Sequence, residues 1–307
     1  MCHGAYANKP LALAFKNMVQ SFIKYLRDIR GYSLKTQKSY SDVLRVLSNT
    51  VHNLRGCELH ELDLNGCRSL LNYVAVHREL SARSRNLYLS VLKSYFDYLC
   101  RFGYVAVNAP APIPNCRVAK LLPRFISESV MNQVIDNELP DSTFLECRTR
   151  LIVLTLYHCG LRASELLNLE INKIDVKLHS IRVIGKGNKE RILPFGEELA
   201  ECIIKFLILR NRKKINSPYL LTEDSGTQLQ GSTLRDIIRQ VFSKHCDDSL
   251  CHPHVLRHTF ATTLLAHGCS LNVIQILMGH ASLATTEIYT HVTTKAIVNQ
   301  YNQAFKR

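Results

Sequence analysis

No stretch of this 307-residue sequence is both apolar enough and long enough to cross a bilayer. The longest candidate, Leu151 to Leu161, is interrupted by Thr155 and His158 and falls well short of the roughly 20 residues a spanning helix needs. The N-terminus lacks the succession of basic region, apolar core and cleavage site that marks a signal peptide, so a cytoplasmic protein with no membrane partner is expected. No C-x-x-C pair occurs among the 11 cysteines, which are scattered singly from Cys2 to Cys269. That spacing excludes the disulfide framework of a small secreted domain, and the thiols are expected to be reduced and mostly buried. Acidic residues are scarce as well. Against 39 Lys and Arg stand 25 Asp and Glu, giving a formal charge of +14. So basic a balance in a folded chain points to a polyanionic partner, of which nucleic acid is the commonest.

The chain has 46% hydrophobic residues and no internal repeat, and its length suffices for two domains with separate cores. Four helical stretches are expected before residue 105. Phe15, Met18, Val19, Phe22, Ile23, Leu26 and Ile29 fall on one helical face, which Gly31 terminates. Ser33 caps a second helix carrying Tyr40, Val43, Leu44 and Leu47, and a third runs from about Asn65 to His77. Ser81 caps a fourth, with Leu87, Val91, Leu92, Phe96 and Leu99 at helical spacing until Gly103. Pro110, Pro112, Pro114 and Pro123 then break the pattern into an extended linker. The expected organisation is an N-terminal helical domain over 1–106, a proline-rich linker over 107–123 and a second domain over 124–307. The second domain reads as mainly α with a small β-hairpin, Ile181 to Ile184 and Arg191 to Leu193 around a Gly-rich tip with Lys186 and Lys189. Helices are expected near 197–212, 232–245, 255–268, 270–278, 282–288 and 294–304. Basic side chains that could straddle DNA phosphates are Lys35, Lys38, Arg83, Arg85 and Lys93 on the helices, with Arg117 and Lys120 in the linker.

Three short motifs carry the chemistry. His254, Arg257 and His258 crowd one turn at a helix start. Arg162 follows an apolar helix and a glycine, which forces its guanidinium inward, where a charge is costly unless paired. Glu165, one turn on, either orients that arginine for function or serves only a structural ion pair. Leu277-Met278-Gly279-His280 is followed nine residues later by Tyr289. Cys246, Cys251, His252, His254 and His258 are potential metal ligands, but they lack the paired spacing of a zinc site, so no metal is expected.

Taken in order, Arg162, Lys186, His254, Arg257, His280 and Tyr289 resemble the active site of the tyrosine recombinase, or phage integrase, family. The motifs that carry the likeness are Gly160-Leu-Arg162, Gly185-Lys186-Gly187, His254-x-Leu-Arg257-His258 and Gly279-His280 with the later tyrosine. It covers residues 124 to about 292 closely, and the helical bundle with its proline linker resembles the family's N-terminal DNA-binding domain. The resemblance implies a site-specific recombinase that cuts DNA through a covalent 3′-phosphotyrosyl bond. In that reading Tyr289 is the nucleophile, Arg162 and Arg257 hold the non-bridging oxygens, and His254 moves the phenolic proton. Lys186 protonates the departing 5′ oxygen and His280 hydrogen-bonds the phosphate; no cofactor is required. Double-stranded DNA sites, a tetramer on DNA, and a second recombinase or directionality factor are the implied partners. The resemblance implies that the tail after Tyr289 docks on a neighbouring subunit and links protomers into the tetramer; the alternative is a helix folded back on its own domain. Thr263, Met278 and Ala281 depart from the wording usual in Xer-type members, which favours a mobile-element recombinase over a housekeeping resolvase. Two other functions fit part of the pattern: a type IB topoisomerase that nicks and reseals, and a DNA-binding accessory protein without catalysis.

Overall fold

The computed structural model describes residues 9–118, 124–185, 190–279 and 294–305. The chain divides into two units, Met1–Leu121 and Leu122–Arg307. Among the described residues no helix is long and apolar enough to cross a membrane.

The N-terminal unit consists of α1 (Lys9–Asp28), α2 (Leu34–Arg55), α3 (Leu64–His77) and α4 (Ala82–Arg101). Local chemistry sets where they begin. The side chains of Ser33, Asp63 and Ser81 accept the first free backbone N–H groups of α2, α3 and α4. Their apolar faces meet in a core that includes Phe22, Leu44, Leu71 and Tyr95, with the Phe22 ring edge-on to Tyr95 at 5.3 Å. Two expected core positions lie outside it. Ile29 is 72% exposed because α1 ends at Asp28, and Leu87 is 42% exposed. The inward stripe of α4 runs instead through Leu89, Leu92, Tyr95, Phe96 and Leu99.

The proline segment packs onto this unit as far as Cys116. Lys93 Nζ donates to the Ile113 carbonyl (2.6 Å), and Asn86 pairs with both the N–H and the carbonyl of Cys116 (2.7 and 2.9 Å). Ile113, 2% exposed, joins the helical core. Polar side chains of α4 thus satisfy backbone groups that a proline-interrupted stretch cannot pair internally.

The C-terminal unit opens with α5 (Glu128–Asn137), α6 (Phe144–Cys159) and α7 (Ala163–Leu167). A sheet of β1 (Ile174–Asp175), β2 (Ser180–Ile184) and β3 (Glu190–Pro194) follows, antiparallel throughout and in the order β1-β2-β3. Then come α8 (Glu197–Arg212), α9 (Gly231–Phe242), α10 (Pro253–Ala266), α11 (Leu271–Met278) and α12 (Thr294–Ala304). From Leu151 to Cys159 every residue of α6 is buried, so this helix is the axis around which α8 and α10 pack. The β2–β3 hairpin agrees with expectation; β1 adds a third strand that two residues of sequence do not announce. The tip, residues 186–189, and the helix expected at 282–288 lie outside the described residues. Rather than standing free for a neighbouring subunit, as expected, the C-terminal helix α12 folds back on its own unit, burying Tyr301 and stacking Phe305 on His158 (4.9 Å between ring centroids) and Phe260 (5.9 Å).

Gly160 joins α6 to the site. It ends the helix in the left-handed region (φ 57°), and a Cβ there would lie 2.2 Å from Cδ1 of Phe260 on α10. The ring therefore occupies the space that only glycine leaves. Gly160→Ala combines a left-handed penalty with overpacking, and should cost about 2–4 kcal/mol of stability. Urea unfolding checks this through a lower midpoint at unchanged slope; a change below about 0.5 kcal/mol would contradict the packing argument.

Candidate active site

The chain leaves Gly160, buries Leu161 and starts α7 at Arg162. Glu165, three residues on, reaches back to that start: its Oε2 accepts the Arg162 backbone N–H (2.8 Å), and Oε1 accepts Arg162 Nη1 (2.7 Å). A second guanidinium meets the same carboxylate in a fork. Arg191 of β3 donates Nη1 to Oε1 (2.9 Å) and Nη2 to Oε2 (2.8 Å). The third, Arg257 of α10, places Nη1 3.7 Å from Oε2 while donating it to the Gly160 carbonyl (2.6 Å).

The same three arginines close the end of α11. A helix leaves its last carbonyls without partners and carries partial negative charge there. Arg191 Nε donates to the Leu277 carbonyl (3.0 Å), Arg257 Nη2 to that of Met278, and Arg162 Nη2 to that of Gly279 (3.0 Å). Three consecutive carbonyls thus take one guanidinium each. Gly279 turns the chain at φ 61°, and a Cβ on it would come within 3.0 Å of Arg191 Nη1, so the close approach also requires glycine.

Burial sharpens the electrostatics. The side chains of Glu165, Arg257 and Arg191 are 7%, 6% and 10% exposed, whereas that of Arg162 is 31% exposed. Burial pushes the Glu165 carboxyl up, but the Arg191 fork, the Arg162 N–H and the charge of Arg191 outweigh it and hold the group at about 2. Burial first, and then repulsion from Arg162, brings Arg257 down to about 10, against an opposing pull from Glu165. It stays charged at neutral pH. Three guanidinium charges against one carboxylate leave the cluster two positive charges in excess.

Arg162 and Arg257 are therefore brought together. His254 stands one turn before Arg257 at the start of α10, exposed where Arg257 is buried, its ring 6.3 Å from that of His252. His258 is exposed too, and Arg257 is the buried member of the three residues crowding this turn. Lys186, His280 and Tyr289 lie outside the described residues; His280 directly follows Gly279 in sequence. Glu165, which the sequence leaves between two roles, caps α7 and joins all three arginines. Arg191 escapes sequence reasoning. The available signal is strand alternation, which turns 191 and 193 to one face, opposite buried Val183, and an inward arginine demands an acidic partner.

Cys246 and Cys251, just before α10, have sulfurs 3.8 Å apart, and among the described residues no group of three or more His, Cys, Asp or Glu is placed to hold a metal ion. In the N-terminal unit, Lys35 and Lys38 are exposed and line a groove of about 430 Å³ with Arg45, Arg78 and Tyr88. Arg83 and Arg117 are exposed as well. Arg85 and Lys93 are engaged within the unit, by Asn72 and Cys116 and by the Ile113 carbonyl. Lys120 lies outside the described residues.

Comparison with known proteins gives matches along most of the chain. Residues 124–296 match the phage integrase family, and residues 19–103 match the N-terminal SAM-like domain of phage integrases. The chain is 31% identical to the tyrosine recombinase XerC of Vibrio vulnificus, over 98% of this chain and 95% of that protein. It is 33% identical to XerC of Lactobacillus delbrueckii subsp. bulgaricus, over 94% and 98%. Among solved structures, XerH recombinase bound to difH DNA shares the fold at a TM-score of 0.69 and 20% identity, over 92% of this chain and 84% of that one. The Tn1549 transposon integrase in complex with circular intermediate DNA gives 0.67 at 18%, over 92% and 98%.

The position of Glu165 predicts a particular acid response. Because its carboxyl lies at about 2, below its ordinary 4.5, the stabilisation it supplies is complete above about pH 5 and is lost as pH falls towards 2. Between pH 6 and pH 3 the native protein should lose on the order of 2 kcal/mol more stability than Glu165→Gln. Urea midpoints across that range measure it, and parallel curves for the two proteins would contradict the assignment.

Proposed function

Because this chain belongs to the phage integrase family and is a site-specific tyrosine recombinase, we propose that its DNA cleavage centre is built on Arg162 and Arg257, with Tyr289 as the nucleophile. The observation that carries this reading is the buried cluster in which Glu165 and the end of α11 gather both arginines with two positive charges in excess. A phosphodiester repels nucleophiles because it is itself an anion, and attack raises its charge further. A preorganised positive site, fixed before the substrate arrives, stabilises that growing charge. Arg162, the partly exposed member, faces the incoming phosphate, and Arg257 reinforces the field from behind.

In the proposed step the Tyr289 oxygen bonds to phosphorus as the bond from phosphorus to the 5′ oxygen breaks. The phenolic proton passes to His254, and Lys186 gives a proton to the departing 5′ oxygen, leaving a 3′-phosphotyrosyl link and a free 5′-hydroxyl. His280, next to Gly279, donates to the phosphate. Attack by a 5′-hydroxyl from another strand reverses the step and exchanges the strands, so the bond energy is kept within the covalent link and no cofactor is consumed.

Double-stranded DNA is the substrate. The XerH and Tn1549 integrase structures are complexes with DNA, and this chain's charge of +14 supplies the attraction. Lys35, Lys38, Arg83 and Arg117 are exposed for backbone contacts; Lys120 is a further candidate, while Arg85 and Lys93 would first exchange the partners they hold. The protein acts in the cytoplasm as a tetramer on two duplexes, alone or with a second recombinase or a directionality factor, in integration and excision of a mobile element or in resolution of DNA dimers.

A suicide duplex nicked beside the cleavage site should trap the protein covalently, and Tyr289→Phe should bind the same duplex without trapping. Failure of the native protein to trap at saturating DNA would favour an accessory binding role, and nicking without exchange between two labelled sites would favour a topoisomerase. Arg162→Ala and Arg257→Ala should each slow trapping by roughly 10²–10³-fold, while DNA affinity falls only a few-fold. The logarithm of affinity should fall with the logarithm of salt concentration at a slope near −7, as about eight neutralised phosphates require; a slope near zero would contradict the basic DNA-binding surface.

A further inference from the structure

Arg191 differs from its two neighbours in where it spends its donors. Nη1 and Nη2 form the fork on Glu165, and Nε is bonded to the Leu277 carbonyl. All three nitrogens are committed inside the protein, and both terminal ones go to the carboxylate, whereas Arg257 gives its terminal nitrogens to the Gly160 and Met278 carbonyls and Arg162 gives only one to Glu165. It stands on β3, paired with Val183 of β2 and on the same face as Leu193. It is therefore not arranged to grip a ligand. What it does grip is the one carboxylate that competes with a phosphate for Arg162 and Arg257.

The competition is physical. Glu165 sits where solvent screens little, so its charge must be balanced by nearby cations. With Arg191 in place, each of its oxygens already accepts a charged N–H from that residue. Without it, the full carboxylate charge falls on Arg162 and Arg257. Their guanidinium groups would turn into ion pairs, and the excess positive charge of the cluster would be halved. We propose that Arg191 is a positioning residue for DNA cleavage: by saturating Glu165 it leaves the positive charge of Arg162 and Arg257 to the phosphate. The inference rests on the reading that these two arginines hold the scissile phosphate.

The test is rescue by removing the competing charge. Arg191→Met should bind target DNA within about threefold of the native protein yet cleave a suicide duplex about 100-fold more slowly. Arg191→Met combined with Glu165→Gln, which keeps an acceptor oxygen but no charge, should regain at least tenfold of that loss. A purely structural role for Arg191 predicts no such rescue, so a double variant that is folded by its melting curve and no faster than the single one overturns the proposal. Should Arg191→Met alone not fold, the double variant, in which no unbalanced carboxylate charge remains at position 165, is compared with the native protein; cleavage within tenfold supports the proposal, and a larger defect in folded protein overturns it. Arg162→Ala and Tyr289→Phe run alongside. If Arg162→Ala cleaves at the native rate, the reading of the phosphate site itself fails; if both controls behave as expected and rescue is absent, only the role of Arg191 fails.

Discussion

A single buried carboxylate organises the C-terminal unit around its site. Glu165 accepts from the Arg162 backbone, from the Arg162 side chain and from both terminal nitrogens of Arg191, and it lies 3.7 Å from Arg257. Buried guanidinium groups are costly unless each finds an anion or a set of carbonyls. Glu165 supplies the anion, and the free end of α11 supplies the carbonyls, one to each arginine. Neither would suffice alone. One carboxylate falls two charges short of three guanidinium groups, and the helix end offers only partial charge.

This arrangement ties together four elements that are far apart in the chain. Arg162 comes from the turn between α6 and α7, Arg191 from β3, Arg257 from α10, and the carbonyls from α11. Two glycines make the approach feasible, Gly160 beneath the Phe260 ring and Gly279 against Arg191. The residue after Gly279 is His280, so whatever registers the end of α11 also sets where the next segment begins. The surplus of positive charge that results is a reason for a recombinase to bind a phosphodiester more tightly as its charge grows during attack.

Much of this was legible in the sequence. Ser33 and Ser81 cap the helices they were expected to cap, and the Ile181 and Arg191 runs pair as a hairpin. Arg162 and Arg257 were recognisable from their neighbours, since the flanking Gly160 and His258 carry a pattern over a few residues. Other features rest on contacts that no local pattern encodes. Ile29 and Leu87 keep the helical period of their neighbours yet end up exposed, because burial depends on which helix covers a given face. The proline segment reads as an extended linker, and nothing local to it announces that Lys93 and Asn86 of α4 hold it at Ile113 and Cys116. Arg191 looked like an ordinary hairpin residue because its partners lie 26 and 86 positions away.

The sequence alone determined the helical and hairpin periods, the caps, the excess of basic charge and the ordered set of residues that marks the family, since each of these is written in residue type and short spacing. The tertiary structure decided which charges meet. Only when the start of α7, β3 and α10 converge does Glu165 acquire three cationic neighbours, and only there does the pairing of a buried charge become both necessary and possible. The physical reason is distance: electrostatic coupling in a poorly screened interior depends on a few ångströms of separation, and sequence separation carries no information about it.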